Sequence, residues 1–140
     1  MSFDRINDIA ASGMAAQRLR VQLIAANIAN SETTRTADGG PFRKQEAVFR
    51  VRPMGQDANG QPFVGVQVAQ VRPSNDPFLS KFDPGHPDAD AEGMVKYPNI
   101  DPVEEMVNLT EASRAFEANV AVVRATRAMT LSAQDLLRVN

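Results

Sequence analysis

The chain has a single histidine, and it lies among acidic residues. His86 follows Asp83 after two intervening residues and precedes Asp88 by two positions. A histidine beside carboxylates can act as a general acid or base, or can hold a metal ion. A small hydrolase using these three side chains is therefore one hypothesis. The neighbouring prolines and glycine indicate an irregular loop, in which a lone histidine is usually solvated, so we assign no catalytic residue.

The acidic stretch that follows resembles the start of a calcium-binding loop. Oxygen ligands would come from Asp88, Asp90 and Glu92, and a glycine occupies position six. Position twelve falls on Asn99, which cannot supply a bidentate carboxylate, and position nine is Lys96. We therefore expect a solvated acidic loop, with no metal and no other cofactor.

Composition excludes several other kinds of site. The 140 residues include no cysteine, which excludes disulfides, zinc–thiolate centres and a cysteine nucleophile. The net charge of −2 provides no basic field for nucleic acid. The glycines form no phosphate-binding pattern and the serines no nucleophile elbow. We therefore expect no enzymatic activity, no nucleic-acid partner and no small-molecule substrate.

The sequence also shows no membrane span and no cleavable signal peptide. Five charged residues interrupt the first 30 positions, namely Asp4, Arg5, Asp8, Arg18 and Arg20. No apolar run approaches the roughly 20 residues that a helix needs to cross a bilayer. The expectation is a protein that stays in the cytoplasm or is exported without a cleaved signal.

Glycine and proline divide the chain into three zones. Seven of eight glycines and eight of nine prolines lie between positions 31 and 100. The ends are nearly free of helix breakers, whereas the middle is rich in them. This distribution predicts a helix in 1–30, a β-rich and loop-containing insertion in 31–100, and a second helix in 101–140.

The first zone predicts an amphipathic helix over residues 2–29, about 40 Å long. Apolar or small residues recur at alternating steps of three and four, in two parallel tracks: Ile6, Ile9, Gly13, Ala16, Leu23 and Ala26, and Phe3, Ala10, Met14, Val21, Ile24 and Ile28. Asp4 is the expected N-cap. Asn27 and Asn30 stand at the end of the helix, where capping is the favoured role and hydrogen bonding between subunits the alternative.

The last zone predicts a longer helix, from Pro102 to about Arg138 and about 55 Å in length. Asp101 is the expected N-cap, with proline at the first helical position. The apolar track consists of Ala112, Ala115, Asn119, Val122, Thr126, Met129, Ala133 and Leu136, widened by Phe116, Val120, Val123 and Leu137.

The middle zone predicts strands. Over 47–52, Ala47, Phe49 and Val51 alternate with Val48, Arg50 and Arg52. Over 64–69, three valines alternate with Gly65, Gln67 and Ala69, and Asn59 and Gly60 lie in the connection. The connection exceeds two residues, so the hairpin should end in a longer loop. Residues 73–93 should be extended, and 94–97 should form a short strand.

Together these elements predict an α+β fold. The terminal helices should pair as an antiparallel, coiled-coil-like bundle, with a β-hairpin and extended-loop insertion between them. Both helices carry apolar faces wider than one seam, as at Val103 and Val107, and neighbouring copies could cover the surplus. An ordinary intramolecular helical hairpin is the simpler alternative. A soluble helical interaction module, of adaptor or export-chaperone type, is another.

Several motifs resemble the axial proteins of the bacterial flagellar rod and hook. Residues 25–36, AANIANSETTRT, look like the signature that follows the first helix of that family. Residues 39–45 are similar to its proximal rod members in particular, and 12–20 fit the same family. Near the other end, 99–107 and 111–120 resemble its C-terminal motif.

The resemblance implies a structural subunit of the basal-body proximal rod. Such proteins are exported through the flagellar export apparatus without a cleaved signal and assemble beneath a rod cap with copies of themselves and related rod proteins. In the periplasmic rod, their terminal helices form a hollow shaft that transmits torque and encloses the export channel. On this view the assembly interface comprises Ile6, Ile9, Gly13, Ala16, Leu23, Ile24, Asn27, Ile28, Asn30, Val103, Met106, Phe116, Asn119, Val122, Val123, Met129 and Leu136.

Overall fold

The computed structural model describes residues 3–56 and 59–138. Its elements in chain order are α1 Phe3–Ala29, β1 Gln45–Gln56, β2 Pro62–Pro73, β3 Leu79–Phe82, β4 Met94–Tyr97 and α2 Pro102–Arg138. Two long terminal helices therefore flank a β-containing insertion, and the predicted α+β class is confirmed. Across the described residues, neither helix has an apolar stretch of the length and hydropathy needed to cross a membrane.

The two helices begin differently from one another. At α2 the prediction is confirmed, because Oδ1 of Asp101 accepts the backbone N–H of Val103 at 2.8 Å and that of Glu104 at 3.5 Å. At α1 the prediction is wrong, because Asp4 already lies in the first helical turn. In that position its negative carboxylate interacts favourably with the positive end of the helix dipole. The predicted first helical residue, Ser2, lies outside the described residues.

The helices pack against each other in antiparallel register. Three pairs of contacts along the helices establish this register. Asn27 on α1 contacts Glu105 near the start of α2. Farther along α2, Arg20 lies 3.7 Å from Glu111, and Gly13 lies against Asn119. Since α1 has 27 residues and α2 has 37, α2 is the longer partner. Phe3 lies ten positions before Gly13 and Met129 lies ten after Asn119, so this register places Phe3 opposite Met129. Residues 130–138, hereafter the α2 extension, continue beyond the described part of α1.

The hairpin formed by β1 and β2 lies along α1. At its base, Gln45 contacts Asn27 near the end of the helix. Midway, the Val66 N–H donates to Oγ of Ser12 at 3.1 Å. Near the tip, the Arg5 guanidinium lies 5.3 Å from the centroid of the Phe63 ring. The first helix is therefore packed against both α2 and the hairpin.

The hairpin strands are longer than predicted. The pairing sets Phe49 opposite Val68 and Val51 opposite Val66, and it continues through Pro53 as far as Gln56. Proline is tolerated because each strand of a two-stranded sheet has a free edge, and a register shift after Pro53 relaxes the ladder. The tip includes Gly60 at φ 76°, while Asp57 and Ala58 lie outside the described residues.

A second, smaller sheet pairs β3 with β4. The sequence predicts β4 at its observed bounds, but it gives only an extended segment where β3 forms. Leu79 pairs with Tyr97 and Phe82 with Met94. Val95 on β4 is fully buried, whereas all four β3 residues are exposed. The buried Val95 anchors β4, and β3 pairs with it as the exposed edge.

Candidate assembly surface

A buried polar group joins the two helices to the hairpin. Asn27 is 1% exposed, and its Oδ1 accepts the backbone N–H of Gln45 at 2.8 Å. Its Nδ2 donates to the Gln45 carbonyl at 3.0 Å and to Oε2 of Glu105 at 3.0 Å. We call Asn27, Gln45, Glu105 and Lys44 the Asn27 clamp. One side chain of α1 thereby holds the start of β1 and the first turn of α2 together.

Lys44 neutralises the buried carboxylate of the clamp. Its Nζ lies 2.9 Å from Oε1 of Glu105, which is 1% exposed. Burial by itself would raise the pKa of Glu105, but the hydrogen bonds from Lys44 and Asn27 and the Lys44 charge outweigh it, so the pKa is lowered. Burial would likewise lower the pKa of Lys44, yet the hydrogen bond and charge of Glu105 outweigh it and the pKa is raised. Both groups are therefore held in their charged forms.

The clamp corrects the prediction for Asn27. This residue does not cap the helix, because its polar atoms bond to Gln45 and Glu105. The predicted capping is confirmed at Asn30, whose Nδ2 donates to the Ala26 carbonyl at 2.9 Å and whose Oδ1 accepts from Thr33 at 3.1 Å. Neither asparagine adopts the expected left-handed conformation, since among the described residues only glycines have positive φ.

Sequence reasoning missed the partners in this clamp. In the sequence, Lys44 and Glu105 stand only within the family-like motifs at 39–45 and 99–107, and neither pattern pairs them. An asparagine at the core-facing end of an apolar stripe is a signal that a buried partner is required. Which partner it finds depends on a contact between positions 78 residues apart.

The predicted interface residues fall into three groups by their exposure in the single chain. Three are buried within it, namely Ala16, Ile24 and Asn27. Five are exposed, namely Val103, Met106, Val122, Met129 and Leu136. The others, Ile6, Ile9, Gly13, Leu23, Ile28, Asn30, Phe116, Asn119 and Val123, are partly exposed. The buried members therefore hold the chain's own elements together, and the exposed members are accessible to a partner.

The α2 extension is the most exposed apolar part of the helices. Leu136 is 74% exposed and Leu137 is 81% exposed. Both belong to the same stripe that α1 covers farther back, where Ala112 is fully buried and Thr126 is 5% exposed. The stripe thus continues past the end of its covering helix.

A second apolar surface lies along the helix pair. Two adjoining cavities of about 280 and 300 Å³ share Arg18 and Phe116. We call them the Phe116 groove; its other walls are formed by Ala11, Met14, Ala15, Val21, Gln22, Ser113 and Glu117. Small and apolar side chains predominate, and the exposed charges of Arg18 and Glu117 form no ion pair with any described residue.

The acidic loop uses its carboxylates within the chain. Asp88 accepts the Thr34 hydroxyl at 2.8 Å and pairs with Arg35 at 2.6 Å. Oδ1 of Asp90 accepts two backbone N–H groups of its own turn. Nδ1 of His86 accepts the backbone N–H of Asp88 at 3.0 Å and makes no hydrogen bond to a described carboxylate. In the described residues no cluster of three or more potential ligands could hold a metal ion.

The terminal segments match known protein families. Residues 8–35 match the family described as flagella basal body rod protein, and 91–136 match the flagellar basal body rod FlgEFG protein C-terminal family. With two long paired helices around a β-containing insertion, these matches define the class as a flagellar rod protein.

Relatives that align over nearly the whole chain identify the family within this class. The flagellar basal-body rod protein FlgC of Borreliella burgdorferi is 41% identical, with 97% of each chain covered. That of Salmonella typhimurium is 42% identical, over 97% of this chain and 98% of the relative, and that of Bacillus subtilis is 33% identical, over 96% and 97%. The chain belongs to the family of flagellar basal-body rod protein FlgC. It is a structural protein of the flagellar basal body.

Proposed function

We propose that the chain is a subunit of the proximal rod that self-assembles through α1 and α2 into a hollow shaft. The shaft encloses the export channel and transmits torque. In this arrangement the helices in 1–30 and 101–140 form the inner tube, and the insertion in 31–100 packs outside it. Family membership supports the rod role, and the exposed apolar stripes support the mode of assembly.

The observation that carries the proposal is the bare stripe on the α2 extension. Leu136 and Leu137 are largely exposed to water in the single chain. Fully burying a leucine side chain contributes about 1.5–3 kcal/mol. Assembly would therefore gain free energy by covering this stripe, whereas a protein that acts alone gains nothing from exposing it.

The interface we propose consists of the predicted residues that the single chain leaves exposed or partly exposed. Val103, Met106 and Val122 extend it back along α2 from the extension. Asn27 is outside it, because every polar atom of its side chain already has a partner within the chain. The partners are copies of this chain and related rod proteins.

Delivery to the rod completes the proposal. The chain is exported by the flagellar export apparatus without a cleaved signal and is placed beneath the rod cap on the periplasmic side. Support comes from membership of the flagellar rod family. Helices that gain stability mainly by packing also suit passage through a narrow channel in an unfolded form.

The test introduces charge into exposed apolar positions. Val122→Asp and Leu136→Arg should abolish motility and remove the protein from isolated basal bodies, because both side chains are exposed and their replacement leaves the chain's own core intact. Leu23→Arg is a less clean test, since Leu23 lines a cavity within the chain itself, together with Ile24 and Phe49. His86→Ala is the matched control and should leave motility normal.

Two outcomes would overturn the proposal. One is normal motility in both charged variants. The other is recovery of the wild-type protein only as a stable small oligomer in the cytoplasm, which is the behaviour of an adaptor or export chaperone.

A further inference from the structure

Among the described residues, two apolar surfaces are left uncovered by the chain itself. They resemble the two sides of the contact between α1 and α2. On α2, the stripe that packs on α1 continues into the α2 extension as Ala133, Leu136 and Leu137. On α1, the inner face packs on α2, while an outer face of similar small residues lines the Phe116 groove. Its exposed members include Ala11 and Ala15.

Resting on the self-assembly proposed above, we infer that the α2 extension of one copy docks in the Phe116 groove of a second copy. The second copy is the occupant because the extension is continuous with the α1–α2 interface and therefore needs an α1-like surface. The groove supplies one, with alanines at Ala11 and Ala15 that permit close helix approach and with Phe116 as the large apolar contact.

The contact cannot be made within one chain. In the antiparallel register, Ala15 lies two positions beyond Gly13 and therefore opposite Glu117. Ala133 is sixteen residues farther along α2, which is about 24 Å at the α-helical rise. The extension and the groove of one copy therefore cannot bind each other, and each is available to another copy. Such a heterologous contact repeats from copy to copy.

The natural absence of cysteine permits a direct test by disulfide cross-linking. The purified full-length chain carrying both Ala15→Cys and Ala133→Cys is concentrated, oxidised and separated without reductant, and the same variant is oxidised in isolated basal bodies. A disulfide requires Cα atoms within about 7 Å, so an intramolecular bond between these positions is excluded. We expect a ladder of dimers, trimers and longer chains.

The matched control moves the second cysteine to the other side of the same helix. Ala128 is also exposed, and five helical positions separate it from Ala133, a rotation of about 140°. Ala15→Cys with Ala128→Cys should give at least fivefold less cross-linked product. A second check mixes the single variants Ala15→Cys and Ala133→Cys, which should yield a mixed dimer and no longer species.

The outcomes separate this inference from the proposed function. Dimers of Ala133→Cys alone would show that two extensions pair symmetrically, and cross-linking of Ala133→Cys only to a different rod protein would show another occupant; either overturns the inference. Absence of a ladder in both settings also overturns it. If the chain is still recovered in basal bodies in these cases, the rod-subunit proposal stands, whereas absence of the wild-type chain from basal bodies removes both.

Discussion

Gly13 on α1 lies directly against the side chain of Asn119 on α2. A β-carbon on Gly13 would lie 3.0 Å from both Nδ2 and Oδ1 of Asn119. The amide cannot turn away freely, because its Nδ2 also donates to the Ala115 carbonyl at 2.9 Å. Glycine in the middle of α1 therefore leaves room for the Asn119 side chain, at a cost in helix propensity of about 1 kcal/mol relative to alanine.

This relationship predicts the response to larger side chains at position 13. Gly13→Val should lower the free energy of unfolding by about 2 kcal/mol, because the branched side chain overpacks the contact. Gly13→Ala combined with Asn119→Ser should be more stable than Asn119→Ser alone by about 0.5–1 kcal/mol, since the shorter side chain makes room and the helix propensity improves. Urea unfolding of these three variants and of Gly13→Ala alone measures both effects. An equal effect of Gly13→Ala with and without Asn119→Ser would contradict the contact.

The Asn27 clamp predicts a difference between the two asparagines of the same motif. Asn27→Ala should lower the free energy of unfolding by about 2–3 kcal/mol, because it leaves the Gln45 backbone and the Glu105 carboxylate without their partner. Asn30→Ala is the control and should cost about 1 kcal/mol or less, since it removes only capping bonds. Thermal unfolding of the dilute chain compares them, and equal losses would show that the clamp adds nothing beyond capping.

The charged pair of the clamp predicts a pH dependence. The pKa of Glu105 is lowered from its ordinary 4.5, so its contribution to stability is complete above pH 4.5 and is lost as the pH falls through the folded-state value. The pKa of Lys44 is raised from 10.5, so its contribution is complete below pH 10.5 and is lost as the pH rises through the folded-state value. The pair should therefore stabilise the fold fully between these limits.

The measurement is urea unfolding at pH 7 and at pH 3. Glu105→Gln should destabilise the chain by about 2–3 kcal/mol at pH 7, because it leaves Lys44 without its buried partner, and by clearly less at pH 3. Glu111→Gln is the control, since that side chain is 64% exposed, and its effect should be small at both pH values. An equal loss at the two pH values for Glu105→Gln would refute the assignment.

Unequal coverage of α2 predicts unequal hydrogen exchange. Amides around Glu105 to Asn119, which pack on α1, should exchange at least tenfold more slowly than those of residues 130–138 in the dilute chain. Mass spectrometry of peptides from the two regions resolves the difference. Incorporation into basal bodies should then slow exchange in 130–138. Uniform protection of α2 in the dilute chain would contradict the description of the extension as uncovered.

The sequence predicts the terminal helices well because their signals are local. Three–four spacing, the scarcity of breakers and the Asp101 cap all act within a few residues. The strand β4 is predicted for the same reason. In contrast, β3 has no alternating burial, since each of its residues is exposed, and it exists only because β4 lies beside it.

Tertiary contacts account for the remaining differences. The local pattern predicts that Asn27 caps the helix end. In the structure it is instead a buried hydrogen-bonding residue, because Gln45 and Glu105 from distant parts of the sequence pack against it. Likewise, apolar spacing identifies a candidate interface without showing which members the chain itself covers. Ala16 on α1 and Leu136 on α2 both belong to predicted apolar stripes, yet Ala16 is 4% exposed and Leu136 is 74% exposed. The difference arises because α1 covers only part of α2 and does not reach Leu136.

The ten-residue difference in length between α1 and α2 gives the molecule a direction. In a stack built by docking the α2 extension of each copy in the Phe116 groove of the next, one end presents exposed leucines and the opposite end presents an uncovered alanine-lined groove. An incoming copy must present its groove at the first end and its leucines at the second, so the two ends are chemically distinct. Such a stack is intrinsically polar, even before any other component of the cell selects the growing tip.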